Sequence, residues 1–191
     1  MNSSNPIKAG KKIFNIKAEK LYREACEFFY LKNYEQSLIL LEEAIKLDKN
    51  HTKALLLVGD IKLLNDGNEA EALEAYEKAI ISNPYSTQAL GSKAYVLDIL
   101  GRFEEAFENC ELAFKYANKN DNDQLSSLYD QKISLLCSLK NFNEASKVLS
   151  EAIGVLSEEN GNYLKSCYAQ KINIKKRANQ TENQPDLKLI F

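Results

Sequence analysis

The sequence predicts an all-α solenoid of about four helix–turn–helix repeats, closed by a C-terminal helix. Three observations predict this class. Small residues recur in parallel series at steps of 35, 34 and 39 residues. Apolar residues recur around them at the spacing of one helix face. The chain also has only 3 Pro and 7 Gly among 191 residues, so long helices need not be interrupted.

The series of small residues define the repeat. Two series lie seven positions apart, and they are Ser37, Ala72, Ala106 and Ala145, then Ala44, Ala79, Ala113 and Ala152. A third series lies upstream, at Ala25, Gly59 and Ala94. Small residues let two antiparallel helices cross closely, so each unit is predicted to be two helices joined by a short turn.

A period of about 34 residues with small residues at these offsets resembles the tetratricopeptide repeat (TPR). The cleanest copy is the stretch 87–120, which contains Leu90, Ala94, the turn 101–103, Ala106 and Ala113. Pro84 also matches the proline that closes a repeat in this family. The resemblance covers about residues 18–159 and implies a right-handed solenoid.

The fourth unit departs most from the family pattern. Extra residues, 121–125, precede it, and Ile133 stands where a small residue is expected. We therefore expect its helix pair to be the least regular. The chain also has no Trp, although the family pattern places an aromatic Trp near the start of each repeat.

The predicted organisation has four parts. Residues 1–17 form a flexible basic N-terminal segment and residues 18–159 form the TPR domain. The repeats are predicted at about 18–51, 52–86, 87–120 and 126–159. A break near Gly161 precedes a capping helix over 161–178. Terminal repeats need a cover with a polar outer side, which this helix would supply. Residues 179–191 are predicted to be a flexible tail.

Stacked helix pairs create a concave surface lined by the first helix of each unit. By resemblance to the family, this groove binds extended or helical peptides. The predicted groove residues are Tyr22, Cys26, Phe29, Leu56, Asp60, Leu63, Tyr95 and Asp98. One part of this set is apolar and aromatic and the other is acidic. The groove is therefore predicted to grip an apolar side chain and to prefer a basic segment further on. The alternative is that the aromatic residues pack against the N-terminal segment or each other.

One family activity is not expected. Some TPR domains clamp the C-terminal carboxylate of heat-shock chaperones with Lys, Arg and Asn at inward positions. The matching positions here are Tyr22, Cys26, Leu57, Gln88 and Ser92. None of these residues is cationic, so the carboxylate would lack its counter-charge.

Charge and hydropathy limit the partners. Residues 21–164 carry 14 basic and 24 acidic residues, so this body is poorly suited to nucleic acid. No apolar run is long enough to span a bilayer, and no secretory signal is recognised, which together predict no membrane insertion and a cytoplasmic location. The basic stretch 171–177 is interpreted as a solvated helix end that complements the helix dipole, and the alternative is contact with an anionic membrane or nucleic acid.

The last five residues, 187–191, are apolar for a free tail. They could dock in the groove of this chain or of a neighbour, which would give autoinhibition or a homodimer. A disordered tail is the alternative.

Catalysis needs polar groups fixed around a reacting atom, and no such constellation is predicted. The single His, His51, lies in the turn between units one and two. The four Cys residues are widely spaced and are expected to be reduced. We therefore expect a protein that is not an enzyme, with no cofactor and no metal site.

The predicted function is a scaffold or adaptor that binds a protein or peptide partner in the concave groove. Two alternatives remain open. One is a cytosolic chaperone for secreted or assembling client proteins, and the other is a non-catalytic subunit of an enzyme complex.

Overall fold

A computed structural model describes residues 6–182, with side chains described over 15–170 and 172–176. All secondary structure in this range is α-helical, which confirms the predicted all-α class. The helices are α1 Pro6–Tyr30, α2 Tyr34–Leu47, α3 Thr52–Asp66, α4 Glu69–Ser82, α5 Thr87–Ile99, α6 Phe103–Tyr116, α7 Asn122–Ser138, α8 Phe142–Val155 and α9 Glu158–Glu182. No helix among the described residues has the length and apolar character needed to cross a bilayer.

The turn inside each repeat follows one backbone scheme. One residue with positive φ ends the first helix, and these residues are Lys32, Gly67, Gly101 and Lys140. The next residue caps the second helix. At three of the four turns it is an Asn, whose side chain accepts a hydrogen bond from the backbone N–H three residues later. This cap satisfies a donor that the helix leaves open and so fixes where the second helix begins.

The predicted small residues lie where the helices of a pair meet. All eleven members of the three series are buried. The Ser37 hydroxyl donates a hydrogen bond of 2.8 Å to the Ala25 carbonyl oxygen and so joins α2 to α1. A Cβ atom on Gly59 would lie 2.8 Å from Cδ1 and 2.9 Å from Cζ of Tyr76. Glycine is therefore the residue that lets the Tyr76 ring pass beneath α3.

The chain forms two compact units that divide between Val96 and Leu97. The first unit contains two clusters of buried residues. One cluster joins α1, α2 and α3 through Ala25, Leu41 and Ile61. The other surrounds Tyr76, which is 1 % exposed. Burial of these apolar side chains is the main force that holds each helix pair together.

Two expectations at the ends of the chain need correction. α1 begins at Pro6, so residues 6–17 are helical where a flexible segment is predicted. Proline is favoured at the first helical position, where its missing N–H costs nothing. The predicted capping helix 161–178 is longer, because α9 runs from Glu158 to Glu182.

The break between α8 and α9 lies at Leu156 and Ser157, about four residues before the expected break near Gly161. The Ser157 carbonyl accepts a hydrogen bond from the Gly161 N–H at 2.9 Å. The acidic residues Glu158 and Glu159 in the first turn also favour the helix start. The predicted docking segment 187–191 lies outside the described residues.

Candidate functional site

A cavity of about 300 Å³ lies in the first unit, where three helices converge. Its lining residues are Tyr22, Cys26, Phe29 and Tyr30 from α1, Lys53, Leu56, Leu57 and Asp60 from α3, and Gln88 from α5. Each of these helices is the first helix of a repeat, which is the origin predicted for the groove. A concave site that combines apolar surface with convergent polar groups is typical of ligand-binding cavities.

The α1 wall of the cavity is aromatic. Tyr22 and Phe29 are half-buried, and each also contacts another ring of the same unit. The Tyr22 ring centroid lies 5.2 Å from that of His51, and the Phe29 ring lies 5.7 Å from that of Tyr34. Burial raises the pKa of the Tyr22 hydroxyl, and a hydrogen bond with Cys26 adds to the effect. The rings are therefore fixed by packing and still face the cavity.

The α3 wall combines an apolar residue with a carboxylate. Leu56 is 4 % exposed and belongs to the buried cluster around Tyr76. The Tyr76 hydroxyl donates a hydrogen bond of 2.8 Å to Oδ1 of Asp60. Burial raises the pKa of Asp60, and the hydrogen bond from Tyr76 opposes that shift. Asp60 is therefore a held, partly desolvated carboxylate at the cavity wall.

Sequence reasoning missed the contribution of His51. It interpreted this residue as part of a turn, but His51 is only 8 % exposed and caps α3. Its Nδ1 accepts a hydrogen bond of 3.2 Å from the Ala54 N–H, and its Nε2 lies 3.4 Å from Oε2 of Glu19. The position of His51 in the sequence could have indicated this role, because the residue that directly precedes a helix start is the N-cap, and α3 begins at Thr52. The His51 ring packs against the Tyr22 ring and so contributes to the α1 wall.

Five of the eight predicted groove residues meet at the cavity, and three do not line it. Leu63 packs partly buried against the cluster around Tyr76. Tyr95 is 53 % exposed on α5. Asp98 lies in the second unit, where burial raises its pKa and a hydrogen bond with Ser138 opposes that shift. The chemical character of the cavity therefore comes from α1 and α3.

Asp130, Ser134 and Cys137 of α7 correspond in the repeat to the groove residues of α3, but their surroundings differ. The Tyr168 hydroxyl of α9 donates a hydrogen bond of 3.2 Å to the backbone carbonyl of Asp130. Tyr168 also forms a side-chain hydrogen bond with Ser134. Cys137 is only 5 % exposed. In the second unit, this face of α7 therefore packs against α9.

The cavity is suited to binding. It offers rigid aromatic and aliphatic surface together with one carboxylate, one ammonium group and one amide. Aromatic side chains bury large areas at low entropic cost and are common anchors at interfaces. No cluster of three or more His, Cys, Asp or Glu that could hold a metal ion occurs among the described residues.

Sequence comparison gives two findings. A family model described as a tetratricopeptide repeat matches residues 22–87 and residues 62–119, which together span more than half of the chain. An uncharacterised protein of Methanocaldococcus jannaschii is 41 % identical over 68 residues, covering 36 % of this chain and 73 % of that protein.

Solved structures share the fold at low sequence identity. PilF of Pseudomonas aeruginosa matches with a TM-score of 0.68 and 15 % identity, over 86 % of this chain and 74 % of that chain. MamA matches with a TM-score of 0.62 and 19 % identity, over 85 % and 84 %. A thermophilic TPR protein of Thermus thermophilus matches with a TM-score of 0.61 and 18 % identity, over 89 % and 93 %. These similarities support an all-α, TPR-like solenoid.

Proposed function

Because this chain belongs to the tetratricopeptide repeat family, we propose that it is an interaction adaptor that binds a segment of a partner protein in the cavity of the first unit. TPR proteins are in general protein-interaction scaffolds without catalytic activity. The single observation that supports the location is the convergence of Tyr22, Phe29, Leu56 and Asp60 from two helices on one cavity.

The anchor of the bound segment is an apolar side chain. Tyr22 and Phe29 present apolar surface that is already ordered by contacts inside the unit, and the buried Leu56 forms the floor beside them. A ligand that covers this surface removes it from water, and little conformational entropy is lost because these side chains are already ordered, which favours binding. The exposed Tyr30, at 81 % exposure, extends the same wall at the rim.

The test compares capture of partners by three forms of the full chain. Beads that carry the wild-type chain, the double variant Tyr22→Ala/Phe29→Ala, or Tyr95→Ala are incubated with lysate of the source cells. Bound proteins are quantified by mass spectrometry. We expect the double variant to lose the proteins that the wild type captures. Tyr95→Ala is the matched aromatic control and should retain them.

A second variant separates binding from folding. Tyr22 and Phe29 contribute to packing, so their removal lowers stability as well. Gln88→Trp instead obstructs the cavity from an exposed position on α5, and Gln170→Trp adds the same bulk at an exposed position on α9. We expect Gln88→Trp to prevent capture with unchanged circular dichroism and Gln170→Trp to allow it. Equal capture by both variants would contradict the proposal.

A further inference from the structure

Two side chains of opposite charge line the cavity. Lys53 and Asp60 both belong to α3 and both line the cavity. Among the residues whose side chains the structure describes, no ion pair includes either of them. They are seven positions apart, which is two helical turns, so they lie on nearly the same face about 10 Å apart along the axis. The cavity therefore has a positive and a negative end.

Asp60 is held in a fixed orientation. The Tyr76 hydroxyl contacts Oδ1, and the Tyr76 ring is fixed against Gly59, where a side chain would collide with it. Within the described part of the chain, no hydrogen bond to Oδ2 is recorded. A partly buried carboxylate without a cation is unfavourable, and a cationic group that donates to it offsets that cost.

Apolar surface separates the two charges. Leu56 lies three residues after Lys53 and four residues before Asp60, so all three side chains share one face of α3. Tyr22 and Phe29 face it from α1. An apolar side chain of the ligand would therefore lie between the two charged ends.

We propose that the cavity selects an extended peptide segment in which an acidic, an apolar and a basic residue occupy alternate positions, so that all three side chains face the cavity. The acidic residue pairs with Lys53 and the basic residue pairs with Asp60. An extended chain advances about 3.3 Å per residue and places alternate side chains on one face, so the acidic and basic residues are about 13 Å apart along the peptide, and the long Lys53 side chain can span the difference. This inference rests on the proposed function and adds the charge pattern of the partner.

The experiment is a selection from a library of displayed random peptides on the immobilised full chain. The wild type should enrich sequences with an acid and a base around an apolar residue. Asp60→Asn should remove the preference for the basic residue only, since asparagine still accepts the Tyr76 hydrogen bond. Lys53→Gln should remove the preference for the acidic residue only. Glu43→Gln and Lys49→Gln lie outside the cavity and serve as matched controls that retain both preferences.

The enriched peptide is then synthesised with a fluorescent label and titrated by anisotropy. Its Kd should rise about tenfold or more in Asp60→Asn, as expected for the loss of a hydrogen bond between charged groups. Enrichment of apolar peptides without the charge pattern would overturn this inference and leave the proposed function standing. If no peptide is enriched, or if the enriched peptides bind the Gln88→Trp variant as well as the wild type, both this inference and the proposed function would be overturned.

Discussion

The inward faces of α3 and α7 correspond in the repeat, but their surroundings differ. On α3, Leu56 and Asp60 face a cavity. On α7, Asp130 and Ser134 are contacted by Tyr168 of α9, and Cys137 is buried. Repeat position therefore selects candidates for a binding surface. The packing of neighbouring helices then determines whether a candidate faces open space.

The two helices also differ at the small-residue position. On α3 this residue is Gly59, and the large side chain comes from Tyr76 of α4. On α7 it is Ile133, which has no exposed surface, and α8 carries Leu149 where α4 carries Tyr76. The large side chain is thus supplied by the second helix in one pair and by both helices in the other. Ile133 departs from the small residue of the family pattern, and its side chain fills the contact between α7 and α8 that Tyr76 fills between α3 and α4.

The largest expected effect tests this comparison at Ile133. Ile133→Ala should lower the free energy of unfolding by about 2–5 kcal/mol, because it leaves a cavity in a packed core. Urea unfolding followed by circular dichroism measures the change. Ile153→Ala, at a position that is 39 % exposed, should cost much less. Equal or greater stability of Ile133→Ala would mean that a small residue is preferred at this crossing as well.

The next effect concerns Gly59, where a larger side chain, not a smaller one, should lower the stability of the fold. Gly59→Ala should lower the free energy of unfolding by about 1–3 kcal/mol, because the new Cβ displaces the Tyr76 ring. The matched control is Gly154→Ala on α8, where a Cβ meets no atom of the described residues within 4 Å. That control should raise stability by up to about 1 kcal/mol, since alanine favours helix over glycine. If both variants behave alike, close contact at Gly59 is not what selects glycine.

A smaller effect is expected at the two helix caps. Asp121→Ala removes an exposed cap of α7 and should cost about 1 kcal/mol. His51→Ala removes the cap of α3 together with the contacts to Tyr22 and Glu19, so it should cost more than Asp121→Ala. His51→Asn retains a capping acceptor and should fall between His51→Ala and the wild type. Thermal unfolding ranks the variants, and an equal loss for His51→Ala and Asp121→Ala would show that His51 acts only as a cap.

The smallest effect is a pH dependence at Asp60. Because the pKa of Asp60 is raised in the folded state, its favourable contribution is present below the unfolded pKa of about 3.9 and is lost as pH rises through the folded pKa. Asp60→Asn should therefore stabilise the chain slightly at neutral pH, and this gain should vanish in acid. Thermal unfolding from pH 3 to pH 7 measures it. A gain that does not change with pH would contradict the assigned cause.

Much of the fold could be predicted because packing in a repeat depends on residues close together in the sequence. Two series of small residues identified the helix crossings. Ser37 belongs to one series, Gly59 and Ala94 belong to the other, and all three residues are buried. The ends of the chain were harder to predict. Capping by Ser157 and the proline start at Pro6 extend α9 and α1 beyond the repeat pattern.

The candidate site could be predicted in part. Helical register brought Tyr22, Phe29 and Asp60 onto one surface, since residues three or four apart share a helix face. The same register also selected Tyr95, whose side chain does not line the cavity. Register gives the direction of a side chain from its own helix, but it does not give the position of the next helix.

The sequence by itself determined the helices, their pairing and the family, because these follow from spacing, small residues and caps along a local stretch of chain. Only the tertiary structure decided which inward residues face a cavity and which are covered. Tyr76 reaches Asp60 from α4, and Tyr168 reaches Asp130 from α9. Both contacts join residues that are far apart in the chain, and their geometry depends on how whole helices pack rather than on the pattern within any one of them.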